Sequence, residues 1–314
     1  MAAIALDIGG TKIQGALYRP DGVVIDTHRR LLDGRTGEAV GALALDITRE
    51  LLTRAVGRGI EVSGLGVCVP GIVYRTDGSV WAPNIPGWER YPLRRLLTDA
   101  FPGMYVSVDN DRSCSIYGET WLGAAAGCRD AVFVAVGTGI GLGIKVDGNV
   151  LHGLGDIAGA AGWMALRPPY DHDYDPVGCF EYYASGNGIG ARARDMLAAA
   201  GRDSLGNTRG LDRVTSHDVF DAWDSGDPVA RAVVARAIEM WGMGAANMVS
   251  LFNPELIVWG GGVFGPAARF IDDIRREAEK WAQPVAMTQV KFIPSRADFN
   301  AMMAGAAFIA FNRP

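Results

Sequence analysis

The feature that most constrains this chain is a repeat. Ala3–Leu6 is a short apolar run that ends in Asp7-Ile8-Gly9-Gly10-Thr11-Lys12; Ile13, Gly15 and Leu17 then alternate with polar or small neighbours, and Pro20-Asp21-Gly22 makes a turn. The second half opens in the same way. Ala131–Val136 is apolar and leads into Gly137-Thr138-Gly139-Ile140-Gly141, a further strand pattern through Val146, and the turn Asp147-Gly148. Setting Leu6 beside Val134 leaves the two closing turns two residues out of step. Each copy reads as strand, glycine bend, strand. Two copies of one hairpin, one at the head of each half, predict a duplicated fold. Glycine lets backbone N–H groups come close to an anion, so the pair of bends suggests a phosphate clamp between two domains.

Composition supports that reading. At roughly 150 residues per domain, 314 residues are a prior of two domains. Glycine contributes 42 residues, about 13% of the chain and near twice the usual ~7%. The net charge of −5 lacks the basic field of a nucleic-acid or anionic-membrane protein. Cys68, Cys114, Cys128 and Cys179 show neither a disulfide framework nor CxxC zinc spacing, which fits a reducing cytosol. The N-terminal residues do not spell a secretory signal. The longest uncharged stretch, Met240 to Pro254, is shorter than the ~18 residues of a membrane span. The expectation is a soluble cytoplasmic protein.

Strands and helices alternate along the rest of the chain, which predicts α/β layers. Glu38 to Val56 has helical spacing, Val62–Val69 and Tyr105–Val108 read as strands, and Asp109-Asn110-Asp111 opens a helix. Asp227-Pro228 starts a long helix that reaches about Ser250. Glu255–Trp259 is a strand followed by Gly260-Gly261-Gly262, and Ala301–Phe311 is a closing helix of small apolar residues. The P-loop spelling GxxxxGK[ST] is absent. Gly260-x-Gly262-x-x-Gly265 has the dinucleotide-binding spacing, but too little chain follows for such a domain, and a tight strand-to-helix turn is the simpler reading.

Taken together, the glycine clusters resemble those of the ROK sugar kinases, glucokinase-like members of the actin/hexokinase superfamily. Leu6-Asp7-Ile8-Gly9-Gly10-Thr11-Lys12 resembles that family's first phosphate motif. Val136-Gly137-Thr138-Gly139-Ile140-Gly141 is similar to the second. Val67-Cys68-Val69-Pro70-Gly71 and Ala82-Pro83-Asn84-Ile85-Pro86-Gly87-Trp88 look like its sugar-side loops. Val108-Asp109-Asn110-Asp111 is similar to its catalytic segment, and Asn253-Pro254-Glu255 through Gly262 to its adenosine-side segment. The motifs occur in the family's order over nearly the whole chain. The resemblance implies an actin/hexokinase-like (ribonuclease H-like) duplicated two-domain fold with an interdomain active-site cleft. Its expected domains are 1–118, joined by a returning C-terminal helix at 300–314, and 119–299.

The resemblance also assigns roles. Asp7 would face Mg²⁺ through its waters; an Asx turn is the plain alternative. Gly9, Gly10 and Thr11 would donate to the transferring phosphate and Lys12 would add charge, where a solvated strand lysine is the alternative. Gly137, Thr138 and Gly139 would hold the other phosphates, and Gly260, Gly261 and Gly262 would lie against the adenosine. Asp111 would accept the substrate hydroxyl proton during phosphoryl transfer, against the reading of an aspartate that merely caps a helix. Asn84, Asn110, Glu181 and Gly71 belong to the acceptor side, although Glu181 also reads as a surface helix residue. His28, His152, His172 and His217 show no ligand spacing, and the acidic run Asp171–Asp175 reads as a solvated loop.

The chain departs from the family at one place. Members usually carry Glu-x-Gly-His after a Gly-Ala-x-Gly run, with the His joining three Cys on a structural zinc. Here Gly159-Ala160-Ala161-Gly162 is followed by Trp163 at the Glu position and Leu166 at the His position, and Cys179 alone represents the Cys cluster. One thiolate without a His does not make a tetrahedral site. The implied cofactors are therefore ATP and Mg²⁺, without zinc. The acceptor wall exchanges two polar groups for an indole and an isobutyl group. That favours an amino sugar or a cyclitol as acceptor, phosphorylated on a primary hydroxymethyl group. An ordinary glucokinase is one alternative, and a non-catalytic sugar-sensing relative is the other. The family's repressors carry an N-terminal helix-turn-helix, and Asp7 lies too near Met1 for one. The implied partners are a small-molecule substrate and a second copy of the chain, not nucleic acid or membrane.

Overall fold

A computed structural model describes residues 1–296 and 298–312; the end of the expected closing helix, 313–314, lies outside them. The chain divides into two compact units: Met1–Gly127 with Val150–Ala158 and Asp298–Pro314, and Cys128–Asn149 with Gly159–Ala297.

In the first unit, β1 (Ala2–Ile8), β2 (Lys12–Tyr18), β3 (Val24–Leu31), β4 (Val62–Val69) and β7 (Tyr105–Asn110) form one sheet in the order β3-β2-β1-β4-β7. A small ribbon, β5 (Ile72–Tyr74) with β6 (Ser79–Trp81), branches from the end of β4. Side chains alternate across β1 as a strand requires. Ile4, Leu6 and Ile8 pack with Leu43, Ile47 and Leu51 of α1 (Gly37–Gly57) and Leu93 and Leu97 of α2 (Leu93–Ala100). Ala5 faces the other way, toward Cys114 of α3 (Asp111–Trp121) and Met303 and Ala306 of the C-terminal helix, Ala301–Phe311.

That second face is closed by backbone more than by side chains. A Cβ on Gly64 or Gly66 of β4 would run into the carbonyl oxygens of Ala310 and Ala306, and one on Gly305 would meet the carbonyl of Cys114. The expected boundary at 118/119 moves for a local reason. Glu119 accepts Ala124 N–H with its carboxylate (2.7 Å), and Thr120 O accepts Gly127 N–H (3.1 Å). These bonds fold residues 119–127 back on α3.

The second unit repeats the plan. β8 (Ala131–Val136), β9 (Ile140–Val146), β10 (Asn149–Val150), β13 (Leu256–Gly260) and β14 (Lys291–Pro294) are ordered β10-β9-β8-β13-β14, the same pattern strand for strand. A two-residue ribbon, β11 (Ser204–Leu205) with β12 (Thr208–Arg209), lies outside this sheet. Helices α4 (Cys179–Ala184), α5 (Gly186–Ala199), α6 (Ser216–Asp224), α7 (Pro228–Phe252), α8 (Ile271–Glu279) and α9 (Pro284–Gln289) complete the unit. Asp227 caps α7 by accepting Val229 N–H (2.9 Å) and Ala230 N–H (3.2 Å). Trp241, buried on α7, donates to Ala184 O (3.0 Å). No helix among the described residues is long and apolar enough to cross a membrane.

The backbone contact at Gly305 gives a signed expectation. Alanine in a helix interior normally gains about 1 kcal/mol over glycine, whereas overpacking a tight contact costs about 1–3 kcal/mol. Gly305→Ala should therefore lower the urea midpoint; a midpoint at or above that of the parent would show that the helix has room to move.

Candidate active site

In the first unit the glycine bend joins β1 to β2, with Asp7 paired to Gln14 on one side and to Cys68 on the other. Gly9 N–H donates to Lys12 O (2.9 Å), and Thr11 O accepts Leu32 N–H (2.8 Å). Gly10 has no room for a side chain, because a Cβ would sit 2.9 Å from both the Cβ and the carbonyl oxygen of Asn84. The Gly9-Gly10-Thr11 bend and the Asn84 loop, far apart in sequence, thus touch here. Removal from water pushes the Asp7 carboxyl up to about 6; Lys12 opposes the rise and the Asp111 charge adds to it. Asp7, Lys12 and Asp111 are therefore neighbours in one electrostatic cluster.

Asp111 is the first residue of α3, and Asn110 is the cap: its Oδ1 accepts Ser113 N–H (2.9 Å). The capping role weighed for Asp111 belongs to its neighbour. Burial raises the Asp111 carboxyl, opposed by the Arg112 guanidinium and by Arg112 N–H, which donates to Asp111 Oδ1 (2.9 Å). Arg112 also donates to the carbonyls of Gly71 (3.5 Å) and Asp156 (3.3 Å). Gly71 sits at φ +96°, and a Cβ there would strike the Trp81 carbonyl. The other end of the Asn110 amide donates to Asp156 Oδ2 (3.3 Å), so both ends of a residue expected to bond substrate already hold protein groups.

In the second unit Gly137-Thr138-Gly139 turns β8 into β9, with Gly137 N–H donating to Gly139 O (2.9 Å) and Gly137 O accepting from Gly186 N–H at the start of α5 (2.8 Å). Gly137, Thr138 and Gly262 line one cavity of about 480 Å³, together with Asn187, Ser216 and His217 near the N-termini of α5 and α6. Helix N-termini present unbonded N–H groups to anions. These last residues are the part of the site that the sequence reading missed, for they carry no glycine spelling. Gly260 is closed off by the Phe133 ring, and Gly261, at φ +88°, packs over the backbone of Val136; Gly262 has open space before it.

Glu181 Oε2 accepts Ile140 N–H (2.8 Å), and both Gly139 and Gly162 lack room for a side chain because its carboxylate lies there. Burial raises this carboxyl and the Ile140 bond opposes the rise. Glu181 thus braces the Gly137-Thr138-Gly139 bend. Trp163 is 60% exposed, while Leu166 is half-buried against the core of the unit. With Tyr170, Tyr174 and Cys179 they line a cavity of about 570 Å³. Where the family pattern has a zinc loop, this chain has tyrosines: Tyr174 and Tyr183 share a hydrogen bond (3.0 Å), and Arg167 donates to Tyr183 (2.9 Å). The acidic run is engaged locally, Tyr182 OH donating to Asp173 (3.0 Å) and Asp171 capping a 3₁₀ turn.

Asp7 supplies a pH test. Its carboxyl titrates near 6 when folded and near 3.8 otherwise, so between those values the folded protein keeps a proton that the unfolded chain releases. Stability relative to Asp7→Asn, measured in EDTA, should fall by at most about 3 kcal/mol from pH 4 to 6 and stay level above that. A difference constant across the range would mean that Asp7 is solvated.

Two like-ordered α/β sheets, each opening on a glycine-turned hairpin, define the actin/hexokinase class of folds. The sequence profile of the ROK family matches residues 3–313, and the chain belongs to that family. It is 31% identical to a glucokinase of Halalkalibacterium halodurans, covering 90% of this chain and 86% of that one. It is 27% identical to a xylose repressor of Caldicellulosiruptor bescii, over 82% of this chain and 65% of the repressor. A ROK glucokinase from Streptomyces griseus, solved with glucose and AMPPNP, superposes with a TM-score of 0.76 at 26% identity, covering 99% of both chains.

Proposed function

We propose that this protein is an ATP-dependent kinase that transfers the γ-phosphate to a hydroxyl of a hexose-like polyol. The observation that carries the reading is the Asp7–Lys12–Asp111 cluster beside the Gly9-Gly10-Thr11 bend. Two carboxylates withdrawn from water, with the Asp111 charge adding to the rise of Asp7, suit a cation, and Asp7 would hold Mg²⁺ through water. When bound, Mg²⁺ neutralises charge on the transferring phosphate. The chain's own groups do the rest. Gly10 and Thr11 donate to the transferring phosphate, with the Gly9 N–H held by Lys12 O to close the bend instead of donating as expected, while Gly137, Thr138 and Gly262 hold the nucleotide. Asp111 takes the acceptor's hydroxyl proton as the new O–P bond forms and the bond to ADP breaks. The bound AMPPNP of the Streptomyces griseus enzyme supports the use of ATP.

The favoured acceptor is an amino sugar or a cyclitol, phosphorylated on a primary hydroxymethyl group. Trp163 and Leu166 stand where the family pattern places groups that bond sugar hydroxyls. An unpaired buried polar group costs about 1–3 kcal/mol, so two such losses weaken glucose by one to several powers of ten. An acceptor without the anomeric hydroxyl loses less, and its carbon face can stack on the exposed Trp163 ring. The second reading, an ordinary glucokinase, is supported by the Halalkalibacterium halodurans relative and by retained Glu181. A sugar sensor without turnover is supported by the repressor relative.

A coupled ADP assay over hexoses, amino sugars and cyclitols separates these. ADP release fastest with an amino sugar or cyclitol is expected; glucose giving the highest kcat/KM would overturn the acceptor assignment, and no ADP with any acceptor would favour the sensor. Asp111→Asn should cut turnover ~10²–10⁴-fold with ATP affinity kept. Near-normal turnover in that variant would remove Asp111 from the chemistry.

A further inference from the structure

Three groups in the first unit have no part in the phosphoryl-transfer reading. Asp109 is the penultimate residue of β7, and the segment Val150–Ala158 brings His152 and Asp156 beside it. His152 Nδ1 lies 3.1 Å from the Val150 carbonyl oxygen. A carbonyl only accepts, so Nδ1 carries the ring hydrogen and Nε2 of the neutral ring presents a lone pair. That lone pair faces Asp109 Oδ2 at 3.0 Å. Two acceptors at this distance need something positive between them.

Asp156 points to the same need independently. It is 2% exposed, its Oδ2 takes the Asn110 amide, and its Oδ1 is buried with no hydrogen-bond partner. An unpartnered buried carboxylate oxygen is costly, and the residue also holds a left-handed backbone at φ +66°, which costs further free energy. One ligand atom from each of Asp109, His152 and Asp156 lies within 4.8 Å of the other two. A separation of 3.0 Å is that of adjacent ligands on an ion with bonds of ~2.1 Å. Asp109 and Asp156 also line a cavity of about 330 Å³, which leaves space for water ligands.

We propose that Asp109, His152 and Asp156 form a binding site for a first-row divalent ion, Mn²⁺ or Zn²⁺, whose remaining positions are taken by water. An imidazole beside two carboxylates favours such ions over Mg²⁺, which prefers an all-oxygen shell. A Zn²⁺ occupant would depart from the expectation of a protein without zinc, which was argued from Leu166 and Cys179; this site uses neither. The ion pins the Val150–Ala158 segment to the end of β7. Through the Asp156–Asn110 bond it also steadies the residue that caps α3 just before Asp111. The competing occupant is a proton, which would make His152 an imidazolium held between two carboxylates.

The test uses the full chain without nucleotide, stripped with EDTA and then titrated with MnCl₂ or ZnCl₂. Binding is followed by elemental analysis after gel filtration and, for Mn²⁺, by loss of the free-ion EPR signal. About one equivalent is expected, with His152→Gln and Asp156→Asn each weakening it at least ~10-fold. Asp7→Asn should leave it in place. In the parent protein, Co²⁺ should shift the His152 ring signals in imidazole ¹⁵N NMR. No bound metal, with His152 ring nitrogens that titrate as an ion pair, would overturn the proposal in favour of the proton. Binding lost in Asp7→Asn yet kept in His152→Gln would overturn it in favour of the phosphate-side carboxylates.

Discussion

The amide of Asn110 is the joint on which the first unit's chemistry turns. Its oxygen caps α3 and its nitrogen holds Asp156, so one side chain ties the end of β7 to a helix and to a segment from much later in the chain. An N-cap of this kind is worth about 1 kcal/mol, but its larger effect is on roles. With Asn110 satisfying Ser113 N–H, the Asp111 carboxylate need not serve as the cap. It sits in the first turn, where the helix dipole favours the ionised form, while burial pulls the other way. A group placed between those tendencies is suited to take a proton late in a reaction. Were the cap to pass to Asp111 itself, α3 would keep its start and the Asp111 carboxylate would be tied to Ser113 N–H.

Glycine does two different jobs in the two bends. Around Gly10 and Gly139 it makes space for another group, Asn84 in one case and the Glu181 carboxylate in the other. At Gly137 and Gly262 nothing crowds the backbone, and both residues line a cavity. The first kind fixes which loops meet; the second leaves room for a ligand. The grouping of Asp7 with Asp111 runs against folding stability, since burial raises both carboxyls and the Asp111 charge adds to the rise of Asp7. Such local conflict is the usual mark of a place kept for function.

The duplicated hairpin was readable because strand alternation and glycine bends are spelled locally, and the two sheets repeat one strand order. Close-packed glycines were readable as glycines but not by purpose. Gly260 and Gly262 look alike in sequence, yet only the position of the Phe133 ring separates a packing residue from one that lines a cavity. The first-unit boundary was misplaced because the Glu119 bond that holds residues beyond 118 is made by a side chain without a motif. His152 gave no signal because its partner Asp109 is 43 residues away and no ligand spacing links them. Trp163 and Leu166 were legible as departures from a pattern, but their unequal exposure was not, since that depends on the tyrosine-lined segment around them.

The C-terminal helix gives the first unit an unusual order of assembly. Ala5, Ala16, Tyr18, Cys68 and Cys114 lie on strands and a helix that leave the ribosome well before Met303, Ala306 and Ile309, which cover them. At ribosomal rates the interval between Asn110 and Ala301 is on the order of 10–40 s. During that time an apolar sheet face waits without its lid, while nearly all of the second unit is synthesised and free to fold. The nascent chain thus presents this face to association and to chaperone capture until the helix that covers it has been made.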